Sequence, residues 1–264
     1  INMNYQDFIK SKSKKIIETG FEISESALNN HLFDFQKYIV KRALKTGRFA
    51  VFADCGLGKT LMQLEFAHQV AIYTQKPVLL LCPLAVAGQT IKEGEKFGID
   101  VYKYDDKVTP GINKPDIFIV NYEQLEKIDT SVFSGVILDE SSILKNFTGS
   151  YRNLIISKFE ETPFKLACTA TPSPNDELEI GNHSEFLNVM SSMDMRAIFF
   201  TTDKEIIKGN KYRIKNYAVN DFYAWINSWA VMLSKPSDLG FKAEGYDLPQ
   251  LNFSEKQIET SKRD

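Results

Sequence analysis

The segment AVFADCGLGKTLMQLEFA, residues 50–67, constrains the fold of this chain more than any other. The apolar run from Phe49 to Ala53 suits a strand buried on both faces, because it lacks the polar alternation of a half-exposed one. It stops at Asp54, turns through Gly56 and Gly58, and leads into an amphipathic stretch that begins at Lys59. The same rhythm continues along the chain. Candidate strands are Phe49–Ala53, Val78–Cys82, Val101–Tyr104, Ile117–Asn121, Val136–Leu138 and Lys165–Thr169. Helix-period stretches lie between them at Lys59–Thr74, Val86–Phe97, Glu123–Ile128 and Ser150–Phe159. An earlier helix over Phe35–Lys45 is expected to be capped by Asp34 and stopped by Gly47. Continuously apolar strands separated by helices predict an α/β fold, a parallel sheet covered by helices on both faces.

After Pro174 the pattern changes. Residues 175–190 read as a helix, followed by SSMDMRAIFF, a lysine-bearing KEIIKGNKYRIK and an aromatic helix DFYAWINSWAVML. We therefore expect an accessory segment at 1–32, an α/β core at 33–174, a mainly helical appendage at 175–245 and a linker at 246–264. In the aromatic helix, Phe222, Tyr223, Trp225 and Trp229 recur at helical spacing, which favours core packing over base stacking.

A net charge of −2 does not advertise a polyanionic partner, so any nucleic-acid contact must be a local patch. Lys204, Lys208, Lys211, Arg213 and Lys215 could form one, although a solvated charged face is the usual outcome. Cys55, Cys82 and Cys168 show no metal-ligand spacing and read as free thiols of a reducing, cytoplasmic compartment. The longest apolar run, around Val78–Cys82, is too short to span a bilayer, so no membrane partner is expected.

Glycines at 56 and 58 allow the turn to point successive N–H groups inward, forming a nest for anions at the start of a helix. ADCGLGKT fits the relaxed phosphate-loop pattern, with Ala53 where the stricter form has glycine. Residues Cys55, Gly56, Leu57, Gly58, Lys59, Thr60 and Leu61 would surround a nucleoside triphosphate. Lys59 would reach its β- and γ-phosphates, and the Thr60 hydroxyl would ligate Mg²⁺. Further on, GVILDESSILKN ends a strand in Asp139 and Glu140. Two adjacent carboxylates there are costly without a positive partner, which a magnesium ion on a triphosphate would supply. Asp139 suits the metal, and Glu140 suits positioning or deprotonating an attacking water. In CTATPSPND, the hydroxyls of Thr169 and Thr171 sit where the Lys165–Thr169 strand ends, able to bond the acidic site.

DCGLGKT, DESSILKN and TATPSPN, in this order, resemble the ATPase core of superfamily-two helicases, and within it the Swi/Snf-type DNA translocases with phage and bacterial relatives. The resemblance implies a RecA-like lobe that binds ATP and Mg²⁺, with Lys59, Asp139 and Glu140 in catalysis. It implies that Thr169 and Thr171 couple hydrolysis to movement, and that Gln36 of LFDFQKYIV reads the adenine edge. PLAVAGQTIKE, with Gln89 and Lys92, resembles a segment touching the nucleic-acid backbone. IVNYEQL, with Asn121 and Tyr122, resembles a later one, and Lys145-Asn146 the pair after the acidic box. Ser141-Ser142 departs from the DEAD and DEAH continuations, and Ala170 replaces a common glycine.

Such motors place ATP between two lobes, the second of which supplies an arginine. The six arginines, at 42, 48, 152, 196, 213 and 263, do not fall in that setting. The resemblance thus implies the first lobe of a longer protein, with the second RecA-like lobe as a partner and duplex DNA as the track. Two alternatives stay open: an RNA helicase of the same superfamily, and a non-motor ATP-binding module of a restriction or defence complex.

Overall fold

Arg48–Ala53 forms β1, and in the computed structural model its side chains divide strictly by parity. Phe49, Val51 and Ala53 enter one apolar layer, while Ala50 and Phe52 enter the other. β2 (Val78–Cys82) divides the same way, with Val78, Leu80 and Cys82 on the first side and Leu79 and Leu81 on the second. This two-sided burial is why the strands read as unbroken apolar runs. The structure describes residues 19–105, 116–145, 149–173, 176–202 and 212–246.

The sheet also contains β3 (Val101–Lys103), β4 (Ile117–Asn121), β5 (Gly135–Asp139) and β6 (Phe164–Thr169). Three helices pack on the first face: α1 (Asp34–Thr46), α2 (Lys59–Thr74) and α3 (Ala87–Phe97). On the second face lie α4 (Ser150–Lys158), α5 (Ile180–Phe186), α6 (Ser192–Phe199) and α7 (Val219–Trp229). With β9 (Ala230–Leu233) at one edge, the strand order is β3-β4-β2-β5-β6-β1-β9, with every neighbouring pair parallel. The predicted doubly covered parallel sheet is therefore present, and its arrangement is RecA-like.

Two local expectations change. Asp34 does not cap α1; it is the first helical residue, and Phe33 occupies the cap. The Phe33 N–H donates to Oε1 of Gln36 at 2.9 Å, so a glutamine side chain from the first turn does the capping. Gly47 does stop the helix, at φ 79°, a conformation that glycine adopts without strain. The second change concerns DFYAWINSWAVML. Its helix ends at Trp229, and Ala230–Leu233 becomes β9, aligned with β1 from Ala50↔Ala230 to Ala53↔Leu233. Thus the segment expected as an appendage returns a strand to the core sheet. Pairing with the open edge of β1 outweighs the helical periodicity, which four apolar residues cannot enforce alone. Phe222 and Trp229 are buried, as core packing requires, while Tyr223 is exposed. β7 (Phe200–Thr202) and β8 (Tyr212–Ile214) form a separate antiparallel pair. Lys204, Lys208 and Lys211 lie outside the described residues.

Lys165, on β6, is fully buried. Its ammonium donates to Phe186 O at 2.9 Å and Asn188 Oδ1 at 3.3 Å, tying α5 to the sheet. Burial lowers its pKa from 10.5 to about 7. Between those values the unfolded chain holds a proton that the folded chain does not, so stability rises with pH from about 7 to 10.5. The slope should approach about 1.4 kcal/mol per pH unit. Denaturant unfolding at stepped pH should show this slope in the wild type and lose it in Lys165→Met; an equal slope in both would reject the assignment.

Candidate nucleotide site and its acidic partner

The turn after β1 is shaped by glycines at two points. Gly56 has φ 85° and Gly58 φ 71°, both left-handed. A Cβ on Gly58 would also lie 2.4 Å from Nε2 of Gln36, so a side chain there would push that amide off its bond to Leu57. The turn opens onto the N-terminus of α2, where unpaired N–H groups and the helix dipole favour an anion. Cys55, Gly56 and Gly58 are exposed, Lys59 and Thr60 are half-buried, and Leu57 and Leu61 anchor the turn in the core. The Lys59 ammonium folds back over the turn, donating to Ala53 O at 2.8 Å and Asp54 O at 3.1 Å. Gln36 is buried, and its Nε2 donates to Leu57 O at 2.9 Å. Its amide therefore braces the turn as well as capping α1.

Asp139 ends β5 and lies in register with Cys168 on β6, which is in register with Val51 on β1. The acid thus stands two strand spacings from β1, roughly 10 Å. Gln63 closes that gap. This buried residue of α2 donates from Nε2 to Asp139 Oδ1 at 2.8 Å, so the helix launched by the glycine turn grips the acid directly. Burial raises the Asp139 pKa, the Gln63 bond opposes the shift, Glu140 adds to it and the Lys59 charge lowers it again. Lys59 and Asp139 accordingly share one electrostatic field.

Glu140 has φ 55°, left-handed for a residue with a side chain, which costs roughly 1–2 kcal/mol. Such strain persists only where the surroundings hold it. Here Thr169 Oγ1 donates to Glu140 Oε1 at 2.6 Å, and the Thr171 N–H donates to Thr169 Oγ1 at 3.0 Å. The two hydroxyl residues of CTATPSPND therefore meet the acid pair in series.

The structure brings Lys59, Thr60, Asp139, Glu140, Thr169 and Thr171 to one end of the parallel sheet, at the carboxyl tips of β1, β5 and β6. Ligands of open α/β sheets bind at this edge. Gln89 and Lys92 are exposed on α3, with Gln89 Nε2 donating to Glu93 Oε1 at 3.1 Å. Asn121 is half-buried at the tip of β4, and Lys145 is exposed. Tyr122 departs from the expectation of a nucleic-acid contact. It is 3% exposed, and its hydroxyl donates to Asp139 O at 2.7 Å, so its ring supports the acid from beneath. Asn146, and Asn175 at the end of TATPSPN, lie outside the described residues. Sequence reasoning missed Gln63, whose signal was its place one helical turn after Lys59, facing the same way. His183, which no motif marks, is buried with its Nε2 3.0 Å from Ser141 Oγ.

Among the described residues no group of three or more His, Cys, Asp or Glu could hold a metal by themselves. The donors present, one hydroxyl and one or two carboxylates, suit Mg²⁺, which keeps waters and shares its shell with phosphates. Also among the described residues, no helix is long and apolar enough to cross a membrane.

Sheet order, glycine turn and acid pair define a RecA-like lobe, and the family match makes it the N-terminal lobe of a superfamily-two helicase core. The chain belongs to the family described as type III restriction enzyme, res subunit, whose model matches residues 23–174. No curated protein matches the sequence. Among solved structures, it is similar to the Sulfolobus solfataricus SWI2/SNF2 ATPase core in complex with dsDNA, at 18% identity and a TM-score of 0.65 over 81% of this chain and 47% of that one. The same organism's SWI2/SNF2 ATPase core domain matches at 18% identity and a TM-score of 0.61, over 82% of this chain and 48% of that one. At this identity the likeness is one of fold. The chain spans about half the length of these structures.

Proposed function

We propose that this chain is the ATP-binding lobe of a nucleic-acid-dependent, ATP-driven motor that acts on double-stranded DNA. The observation that carries this reading is the linkage of glycine turn to acid through α2, with Lys59 at its start and Gln63 on Asp139. The triphosphate lies along the turn from Cys55 to Leu61, with Lys59 on its outer phosphates. A cleft of about 650 Å³ lined by Phe33, Phe35, Phe241 and Tyr246 opens beside the start of α1 and suits an adenine ring. Thr60 and Asp139 would hold Mg²⁺, which when bound would neutralise phosphate charge. Glu140 orients the attacking water and accepts its proton, and Thr169 holds that carboxylate in place. Support for duplex DNA comes from the likeness to a core solved with dsDNA and from the resemblance of DESSILKN and TATPSPN to the translocase motifs. Gln89, Lys92, Asn121 and Lys145 are the proposed backbone contacts, together with Asn146.

In this reading a second lobe provides the arginine that stabilises the transferring phosphoryl group, worth about 10³–10⁵ in rate. That is roughly 4–7 kcal/mol of barrier, so the lobe alone turns over poorly. The test is the ATPase rate of the full-length protein with duplex DNA, single-stranded DNA and RNA. Stimulation by duplex DNA is expected. Stimulation by RNA alone would instead favour an RNA helicase, and none by any would favour a regulatory ATP-binding module.

A further inference from the structure

Five residues follow the acid pair as a single 3₁₀ turn, Ser141–Lys145. At its start stands Glu140, the proposed base, and at its end Lys145, a proposed nucleic-acid contact. Both ends are held by two consecutive residues of α5. His183 Nε2 lies 3.0 Å from Ser141 Oγ. Asn182 Nδ2 donates to Leu144 O at 2.8 Å and Lys145 O at 3.2 Å. Ser141, Leu144, Asn182 and His183 are each 0% exposed. Groups this deeply buried cost free energy unless bonded, and here both donations of Asn182 and the Nε2 contact of His183 fall on one short segment. Simple packing would be served as well by apolar residues.

α5 is itself fixed. Arg152 Nε donates to Asn182 Oδ1 at 3.1 Å, and Arg152 pairs with Glu185 at 2.6 Å. Glu185 also accepts from Ser192 Oγ at 2.6 Å, joining α6 to the network. The His183 ring stands edge-on to Phe52 of β1, with centroids 5.1 Å apart, one residue before the strand ends at Ala53. A five-residue 3₁₀ turn spans roughly 10 Å, short enough to move as one piece when gripped at both ends.

We propose that Asn182 and His183 are positioning residues that make Ser141–Lys145 a rigid strut between Lys145 and Glu140, so that nucleic acid engaged at Lys145 sets the placement of the proposed base. This rests on the function proposed above. Neither residue touches nucleotide; each acts through the strut.

Two variants of the full-length protein test it while avoiding the cavity that His183→Ala would leave beside Phe52. Asn182→Asp keeps the volume and the acceptor for Arg152 but loses both donations to the strut. Ser141→Ala removes the hydroxyl that meets His183. Amide hydrogen exchange without nucleotide should quicken over Ser141–Lys145 by about tenfold in Ser141→Ala, the order expected for one buried hydrogen bond, and by at least that in Asn182→Asp, which loses two, and stay unchanged over Lys59–Thr74. In steady-state hydrolysis, Ser141→Ala should lower kcat about tenfold, with KM for ATP within about twofold. Asn182→Asp should instead raise the DNA concentration for half-maximal stimulation about tenfold. A merely structural role would not separate these two quantities. Unchanged exchange over the strut, acceleration spread across the whole sheet, or kcat and DNA dependence falling together would overturn the proposal. A wild type that hydrolyses no ATP with any nucleic acid refutes the parent function and the coupling with it, while the exchange data still decide whether the strut is clamped.

Discussion

Replacing Glu140 by glutamine is expected to leave nucleotide binding within about twofold of wild type and to slow hydrolysis by about 10²–10⁴. The substitution keeps the side chain's length and its ability to accept from Thr169 Oγ1, which lies 2.6 Å from the present carboxylate. It removes the charge that would take a proton from water. The left-handed backbone at this position remains, because its causes are the Thr169 bond and the turn that follows. A loss of rate with binding preserved therefore isolates the proton-accepting role. Rapid-quench turnover alongside equilibrium titration of a fluorescent ATP analogue separates the two quantities. An unchanged rate would assign the base elsewhere, whereas loss of binding would mean that Glu140 acts on the ground state.

Lys59→Ala acts on binding itself. Its ammonium makes its contacts within the glycine turn, with Ala53 O and Asp54 O, and a polyphosphate at the turn would draw it onto its outer oxygens. Hydrogen bonds to charged groups contribute about 1.5–3 kcal/mol each. Losing one or two of them should weaken ATP binding by roughly 10- to 10⁴-fold, at about 1.4 kcal/mol per decade. Both carbonyls freed by the substitution sit beside the exposed stretch from Asp54 to Gly56, where water replaces the lysine, so the melting temperature should hold within a few degrees. Isothermal calorimetry with Mg²⁺-ATP and a thermal melt together check this. Tight binding in the variant would remove the glycine turn from the nucleotide site.

The two variants probe the part of the molecule that was most legible in the sequence. β1, the turn and α2 could be read because their signals are local: an apolar run, glycines where φ is positive, and an amphipathic start at Lys59. The strand ending in Asp139 was readable for the same reason. What could not be read depends on partners distant in sequence. Gln63 is an ordinary helix residue until the sheet order places β5 two strands from β1. Tyr122 sits in a motif that suggests exposure, yet it is buried in the apolar layer on the second face, with its hydroxyl on Asp139 O. Ala230–Leu233 continues a helical pattern and becomes strand only because β1 offers a bare ladder on that side. Gln36 is expected from the resemblance to read adenine, whereas the structure buries it, its Oε1 capping α1 and its Nε2 bracing Leu57.

β9 has a consequence for how the molecule comes together. The family match ends at residue 174, yet β1 is flanked on one side by a strand that begins at residue 230. During synthesis β1 therefore waits for a neighbour about 180 residues downstream, and until then its outer edge is an open, apolar template for foreign strands. The ladder even runs past the strand end, where the Asp54 N–H donates to Leu233 O at 3.1 Å at the threshold of the glycine turn. A boundary drawn from the motifs alone would amputate that neighbour. The smallest autonomous unit of this lobe therefore extends at least to Leu233, and the shape of its phosphate-facing turn is inherited in part from residues that carry no motif.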